Sequence, residues 1–239
     1  MHDFTKDPRL KLLLAALVLS TSVAAAAPPS EVVAEYSVIH TGLTIGRINE
    51  TFLRKGDLYT ATSVTRSEGP LKVILDDQIT LESSGRLASS GLQPLEFVQR
   101  RAKDSKRDLK TNFDWDKGTV STVLHGEKSE VALPHETQDR LSAMYQFLHI
   151  ATFGQTLTMP MAMGRRVETY HYRLVEEGKV ATPAGEFEAL HYARVIDKPT
   201  DTKVDVWLAK DRFKFPVRAI FDDPKGFRLE QTLVLLTTR

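Results

Sequence analysis

A mostly β fold follows from the 239-residue sequence. The expected form is an antiparallel barrel or strongly curved open sheet of about a dozen strands, with one substantial helix packed against or inside it. Three observations predict it. From Val32 onward, apolar and polar residues alternate with a period of two over most of the chain. Short clusters of Gly, Pro, Asp and Ser punctuate that pattern. Only one stretch, between Asp139 and Gly154, changes to helical spacing.

The first segment is different in kind. Lys6, Arg9 and Lys11 form a positive start, Leu12 to Leu19 is an almost unbroken apolar run, and Ala24, Ala25 and Ala26 follow. That order predicts a cleavable signal peptide over residues 1–26, cut after Ala26. A cut one residue later would leave Pro28 just after the scissile bond. The run is too short to cross roughly 30 Å of hydrocarbon, and no later segment is long and apolar enough to do so, so an integral membrane protein is not expected. The chain has no Cys, which excludes lipoprotein acylation, a disulfide framework and thiolate chemistry. The reading is a periplasmic protein with a single β-rich domain over residues 27–239. The formal charge of +1 lies in the first segment and argues against nucleic acid as a partner.

The strands follow in order. Val32, Ala34, Tyr36 and Val38 alternate with more polar neighbours until Gly42 breaks the run. Leu43, Ile45, Ile48 and Phe52 make a second strand, and Lys55-Gly56-Asp57 turns into a third, Leu58 to Thr65. Its β-branched residues suit a pleated surface. Leu71 to Leu81 reads as another strand containing Asp76 and Asp77. Ser83-Ser84-Gly85 and Ser89-Ser90-Gly91 bracket an expected short connection. Leu92 to Arg101 and Leu109 to Trp115 predict a long hairpin with its tip near Asp104-Ser105. Lys117-Gly118 leads into Val120 to Leu124, and Gly126 leads to Val131 and Leu133.

In the helical stretch, apolar residues fall at Leu141, Met144, Tyr145, Leu148 and Ala151. Asp139 suits an N-cap and Gly154 a C-terminal stop. Phe147, Ile150 and Phe153 make this helix apolar on most sides, so it should be buried by the sheet. Strand patterns then resume at Val167 to Val175, Phe187 to Ile196, Lys203 to Ala209, Pro216 to Phe221 and Phe227 to Leu236. Gly178, Pro183-Ala184-Gly185, Pro199 and Pro224-Lys225-Gly226 are the expected joints.

Several short motifs recur in a telling order. They are Tyr36…Gly42…Gly46, Gly91-Leu92-Gln93-Pro94, Leu141-Ser142 with Tyr145-Gln146, Thr182 to Phe187, Trp207 to Asp211, and Phe215-Pro216-Val217-Arg218. As a set they resemble the domain of unknown function 3108 family of Gram-negative envelope proteins, over nearly all of residues 27–239. The resemblance implies secretion and a β-rich fold and brings no catalytic residues with it. More distantly, a curved sheet around a helix is similar to the outer-membrane lipoprotein carriers, a likeness of fold alone.

No motif assigns a reaction. His135-Glu136 begins like a zinc-protease motif, but Asp139 stands where the second His is needed. His171 and His191 fall within strands as ordinary residues, and the Gly-x-Ser-x-Gly elbow and the phosphate-binding loop are both absent. Asp76-Asp77 and Asp222-Asp223 are adjacent on strands, so each pair points to opposite faces and suits polar strand ends better than acid–base work. No catalytic residue, metal site or cofactor is therefore expected.

Two sets of residues remain as candidates. Met144, Phe147, Leu148 and Ile150, with Met159, Met161 and Met163, would line an apolar interior if the sheet wraps the helix incompletely. Arg100, Arg101, Lys103, Lys106, Arg107 and Lys110 cluster at the hairpin tip and would meet anionic lipid headgroups, unless they are simply a solvated loop. The expected function is binding or carriage of a lipid, another hydrophobic molecule or an envelope component. The rival is a structural module with a filled core that docks other envelope proteins.

Overall fold

Alternation becomes burial in the first strand, where Val32, Ala34, Tyr36 and Val38 of β1 (Glu31–His40) point inward and their neighbours stay partly exposed. The computed structural model describes residues 27–69 and 78–239. The expected signal peptide, the Asp76-Asp77 pair and most of the Leu71–Leu81 strand lie outside the described residues.

The thirteen further strands are β2 (Leu43–Lys55), β3 (Leu58–Ser67), β4 (Gln78–Ala88), β5 (Gly91–Arg101), β6 (Leu109–Asp114), β7 (Thr119–Leu124), β8 (Glu127–Ala132), β9 (Thr156–Ala162), β10 (Val167–Thr182), β11 (Gly185–Arg194), β12 (Lys203–Ala209), β13 (Phe215–Asp222) and β14 (Arg228–Thr238). All fourteen form one antiparallel sheet in the order β8-β7-β6-β5-β4-β3-β2-β1-β14-β13-β12-β11-β10-β9. The two ends of the chain therefore meet at the middle of the sheet, with Val32 opposite Thr238 and Ile39 opposite Glu230. Each half is an up-and-down meander running outward from that seam. At the two-residue turns Thr41-Gly42 and His125-Gly126 the backbone takes the left-handed form that matches strand twist.

The sheet curls but does not close, since β8 and β9 are its two edges and do not pair. Register shifts at Glu35/Tyr36, Val38/Ile39, Ser84/Gly85, Leu174/Glu176 and Trp207/Leu208 increase the local twist and help it bend. The chain between the two edges crosses the concave face and carries the helix. On its way it covers part of one edge: the Gln138 amide donates to the Pro160 carbonyl at 2.8 Å, and the Ala162 amide donates to Gln138 at 2.8 Å. Pro160 is tolerated because it sits on an edge strand, where a missing N–H is least costly.

Four expectations are corrected here. The helix is short: α1 spans Ser142–Gln146 and a single 3-10 turn continues it over Phe147–His149. At Ile150 the chain becomes extended (φ −71°, ψ 115°) because it must feed β9, and Gly154 instead offers its carbonyl to the Tyr192 hydroxyl at 2.6 Å. Asp139 does cap the first turn, its Oδ1 accepting from the Leu141 and Ser142 amides at 2.8 Å each. Ser83-Ser84-Gly85 is no turn but the middle of β4, where a Cβ on Gly85 would sit 2.3 Å from the Gln93 carbonyl oxygen and 2.8 Å from the Tyr59 ring. Gly178 is likewise inside β10. Met159 and Met161 are inward residues of β9, a strand the sequence reading missed.

Candidate functional site

The helix divides the space under the sheet. Leu141, Tyr145 and Leu148 face one side and join a core built from inner residues of β1–β3, β5–β7 and β9–β14. Ala143 and Phe147 face the other side and meet Leu157, Met159 and Met161 of β9, Tyr170 and Tyr172 of β10, and Val204 and Val206 of β12.

The first side is full. The Tyr145 ring stacks on Phe52 at 4.7 Å between centroids, and Phe52 stacks on Tyr59 at 5.7 Å. The Tyr36 hydroxyl donates to the Pro216 carbonyl at 2.8 Å. Polar groups there are tied in pairs: Ser83 donates to Asp139 at 2.6 Å, and Gln146 accepts from the Leu92 amide at 2.7 Å while donating to the Ser90 carbonyl at 2.9 Å. Gly91 has a left-handed backbone (φ 110°) and lies against the Gln146 amide, 2.5 Å from where a Cβ would be. Tyr36, Gly91, Leu92, Tyr145, Gln146, Phe215 and Pro216 thus form the dock for the helix.

The second side is hollow. A cavity of about 380 Å³ runs between the helix, β2–β4, β9, β10 and β12–β14. Its wall is mostly apolar, with Ile48, Leu81, Met144, Phe147, Met159, Met161, Met163, Val204, Val206 and Phe221 among the lining residues. Small Ala143 and Ala219 leave part of the space unfilled. Of the seven residues expected to line such a space, Met144, Phe147, Met159, Met161 and Met163 do. Leu148 is packed into the full side, and Ile150 lies past the helix in a separate depression beside His149 and Thr156.

Glu50 is the carboxylate among the cavity's lining residues, and the sequence reading passed it over. It falls between Ile48 and Phe52 on the inward face of β2, so its position in the alternation was a usable signal. Burial raises its pKa from 4.5 to about 7 despite hydrogen bonds from Ser63 and Tyr145. The Tyr145 hydroxyl donates to Oε2 at 3.3 Å. Asp139, fully enclosed in its hydrogen bonds, is also pushed upward by burial. Arg140, Tyr170, Tyr172, Thr202 and Gln231 complete the polar part of the wall. They come from elements far apart in sequence, which is why no motif reveals them.

The basic run does not form one patch. Strand alternation sends Arg100 and Lys110, and the 3-10 turn over Ser105–Arg107 sends Lys106, to an open depression on the outer face, where Glu96 and Asp108 are also present. Arg100 pairs with Glu82 at 2.8 Å and Lys110 pairs with Glu96. Arg101 and Arg107 turn instead to a second depression, and Lys103 lines neither. The other candidates serve local structure. Asp222 pairs with Arg228 at 2.8 Å, and Asp223 accepts from the Lys225 amide at 2.8 Å. His191 stacks on Trp207 at 4.1 Å and meets Asp205 at 2.7 Å on the outer face. His171 bonds Thr158 at 3.3 Å, and His135 and Glu136 are exposed ahead of the helix. Among the described residues, no group of three His, Asp or Glu side chains gathers as a metal site, and no helix is long and apolar enough to cross a membrane.

Comparison with known proteins sets this architecture in context. The model of the family described as protein of unknown function (DUF3108) matches residues 35–232. A crystal structure of a β-barrel-like protein of the domain of unknown function DUF1849 from Brucella abortus superimposes with a TM-score of 0.58, at 15% identity, over 89% of this chain and 99% of that one. That likeness is one of fold. A candidate outer membrane lipoprotein-sorting protein domain from Vibrio parahaemolyticus superimposes with a TM-score of 0.31, at 12% identity, over 88% of this chain and 86% of that one. No curated protein matches the chain.

Proposed function

The chain belongs to the DUF3108 family of proteins of unknown function, and we propose that it is an exported periplasmic protein that carries a hydrophobic ligand without chemical change. One observation carries this reading, the apolar cavity of about 380 Å³ between the helix and the two halves of the sheet. Its volume falls within the roughly 300–1,000 Å³ range of small-molecule sites, and its wall has the usual make-up of many apolar groups with a few polar ones. Methionine side chains from the helix and from β9 and its end adapt to guests of different shape. The open edge between β8 and β9 gives the wall a place to yield. Export rests on the basic, apolar and small-residue segments of residues 1–26, with the mature chain beginning at Ala27.

Native mass spectrometry of the mature protein, purified from periplasm without detergent and followed by organic extraction, tests the proposal. A stoichiometric apolar adduct is the expected result. A clean apo mass, together with no uptake of a neutral probe such as N-phenyl-1-naphthylamine, would overturn it and favour a docking module for other envelope proteins.

A further inference from the structure

The hollow side of the molecule has a charged annex. Next to the cavity lies a second depression of about 350 Å³, and the two share Arg140 and Met163 as common wall. Arg101, Arg107, Arg140 and His125 line the annex, and among the described residues no carboxylate joins them in its wall. This sets it apart from the depression on the outer face, where Glu96 and Asp108 stand among the cations.

Arg140 is the charged residue that faces both spaces. Its side chain is exposed at the mouth, its guanidinium lies over the Phe97 ring at 5.7 Å, and it donates to the neutral Gln99 amide oxygen. Among the described residues no carboxylate stands within ion-pairing distance of it. The neighbouring Asp139 carboxylate is taken up by Ser83 and by the amides of Leu141 and Ser142. A guanidinium offers five N–H donors in a planar fork, and the bond to Gln99 leaves most of them available. Away from the two spaces the balance is different. Arg194, stacked over Tyr170 at 3.6 Å, has Glu168 and Asp201 at 3.8 and 3.9 Å.

Resting on the carrier reading above, we infer that the ligand is an anionic amphiphile, with its apolar tail in the methionine-lined cavity and its carboxylate or phosphate head on Arg140. Phe97 holds the guanidinium in place from below. The tail passes Met163, which borders both spaces.

Displacement of N-phenyl-1-naphthylamine from the mature protein by four single-chain ligands tests the assignment. The ligands are dodecanoate, dodecyl phosphate, dodecanol and dodecyltrimethylammonium, each used below its micelle concentration at pH 8. Both anions are expected to compete at about tenfold lower concentration than dodecanol, the scale of a charge-assisted hydrogen-bonded pair, with the cation weakest. Whichever anion is stronger names the headgroup, carboxylate or phosphate. Arg140→Gln should remove the preference for anions, with an unaltered far-ultraviolet circular dichroism spectrum showing that the variant is folded, and Arg140→Lys should restore part of it. Equal binding of dodecanoate and dodecanol by the unaltered protein would overturn the headgroup assignment and leave the carrier reading standing. So would an anion preference that survives in Arg140→Gln. Failure of the probe and all four ligands to bind would overturn both.

Discussion

The two sides of the short helix are built from the same sheet but to opposite ends. On one side, stacked rings of Phe52, Tyr59 and Tyr145 and paired polar groups fill the space. On the other, methionines, tyrosines and two alanines leave a cavity. The residues that carry the family resemblance cluster on the full side, where Tyr36, Gly91, Tyr145, Gln146 and Phe215 dock the helix. The contrast teaches that this fold concentrates its packing in one half, so that the other half can stay incompletely filled. A protein interior is normally close-packed, and a void of this size forfeits contacts that the opposite half must offset.

The comparison can be broken most strongly at its centre. Phe52 is 1% exposed and lies between two other rings. Phe52→Ala is expected to cost about 4 kcal/mol, read as a lowered urea midpoint with an unchanged m-value. Next comes the cap. Asp139→Ala leaves Ser83 and two helix amides without their acceptor and should cost about 3 kcal/mol. A loss below about 1 kcal/mol in either variant would mean that the full side does not bear the stability assigned to it.

Glu50 sharpens the contrast because it stands where the two sides meet, and its effect has the opposite sign. Its folded-state pKa, about 7, is above the ordinary 4.5, with burial as the main cause. Between those two values the folded protein holds a proton that the unfolded chain releases, so stability falls as pH rises through that window. Glu50→Gln keeps a neutral hydrogen-bonding group in place. It should therefore raise stability by about 2 kcal/mol at pH 8 and change little at pH 4, as measured by urea midpoints at both values. An equal effect at both pH values would show that Glu50 is not held neutral by the fold.

The smallest effect comes from one substitution made on both sides. Ala209 is fully buried in the full core, and Ala219 lines the cavity. Ala209→Leu should cost about 2 kcal/mol by overpacking, whereas Ala219→Leu should stay within about 1 kcal/mol of the unaltered protein and reduce uptake of the neutral probe. Matching losses at the two positions would erase the distinction between a full and a hollow side.

Much of this was legible in the chain. The period of two placed most strands correctly because side chains alternate across a pleated backbone whatever lies beyond it. Asp139 was identifiable as a cap, and five of the cavity residues were identifiable as an apolar group near one helix. The misreadings have local causes. Gly85 looked like a turn signal, but its missing Cβ makes room for Tyr59 and the Gln93 carbonyl. The apolar spacing after His149 suggested more helix, although the chain there must extend to reach the sheet edge.

What the sequence determined by itself was the β class, most of the turns, the likeness to a family and the expectation of export, because each is written in neighbouring residues. Only the tertiary structure decided that β1 lies beside β14, that the basic run divides between two faces, and that Glu50, Arg140 and Val204 border one cavity. Those outcomes depend on which distant strands face each other and how much volume their side chains fill together. No local period records that sum.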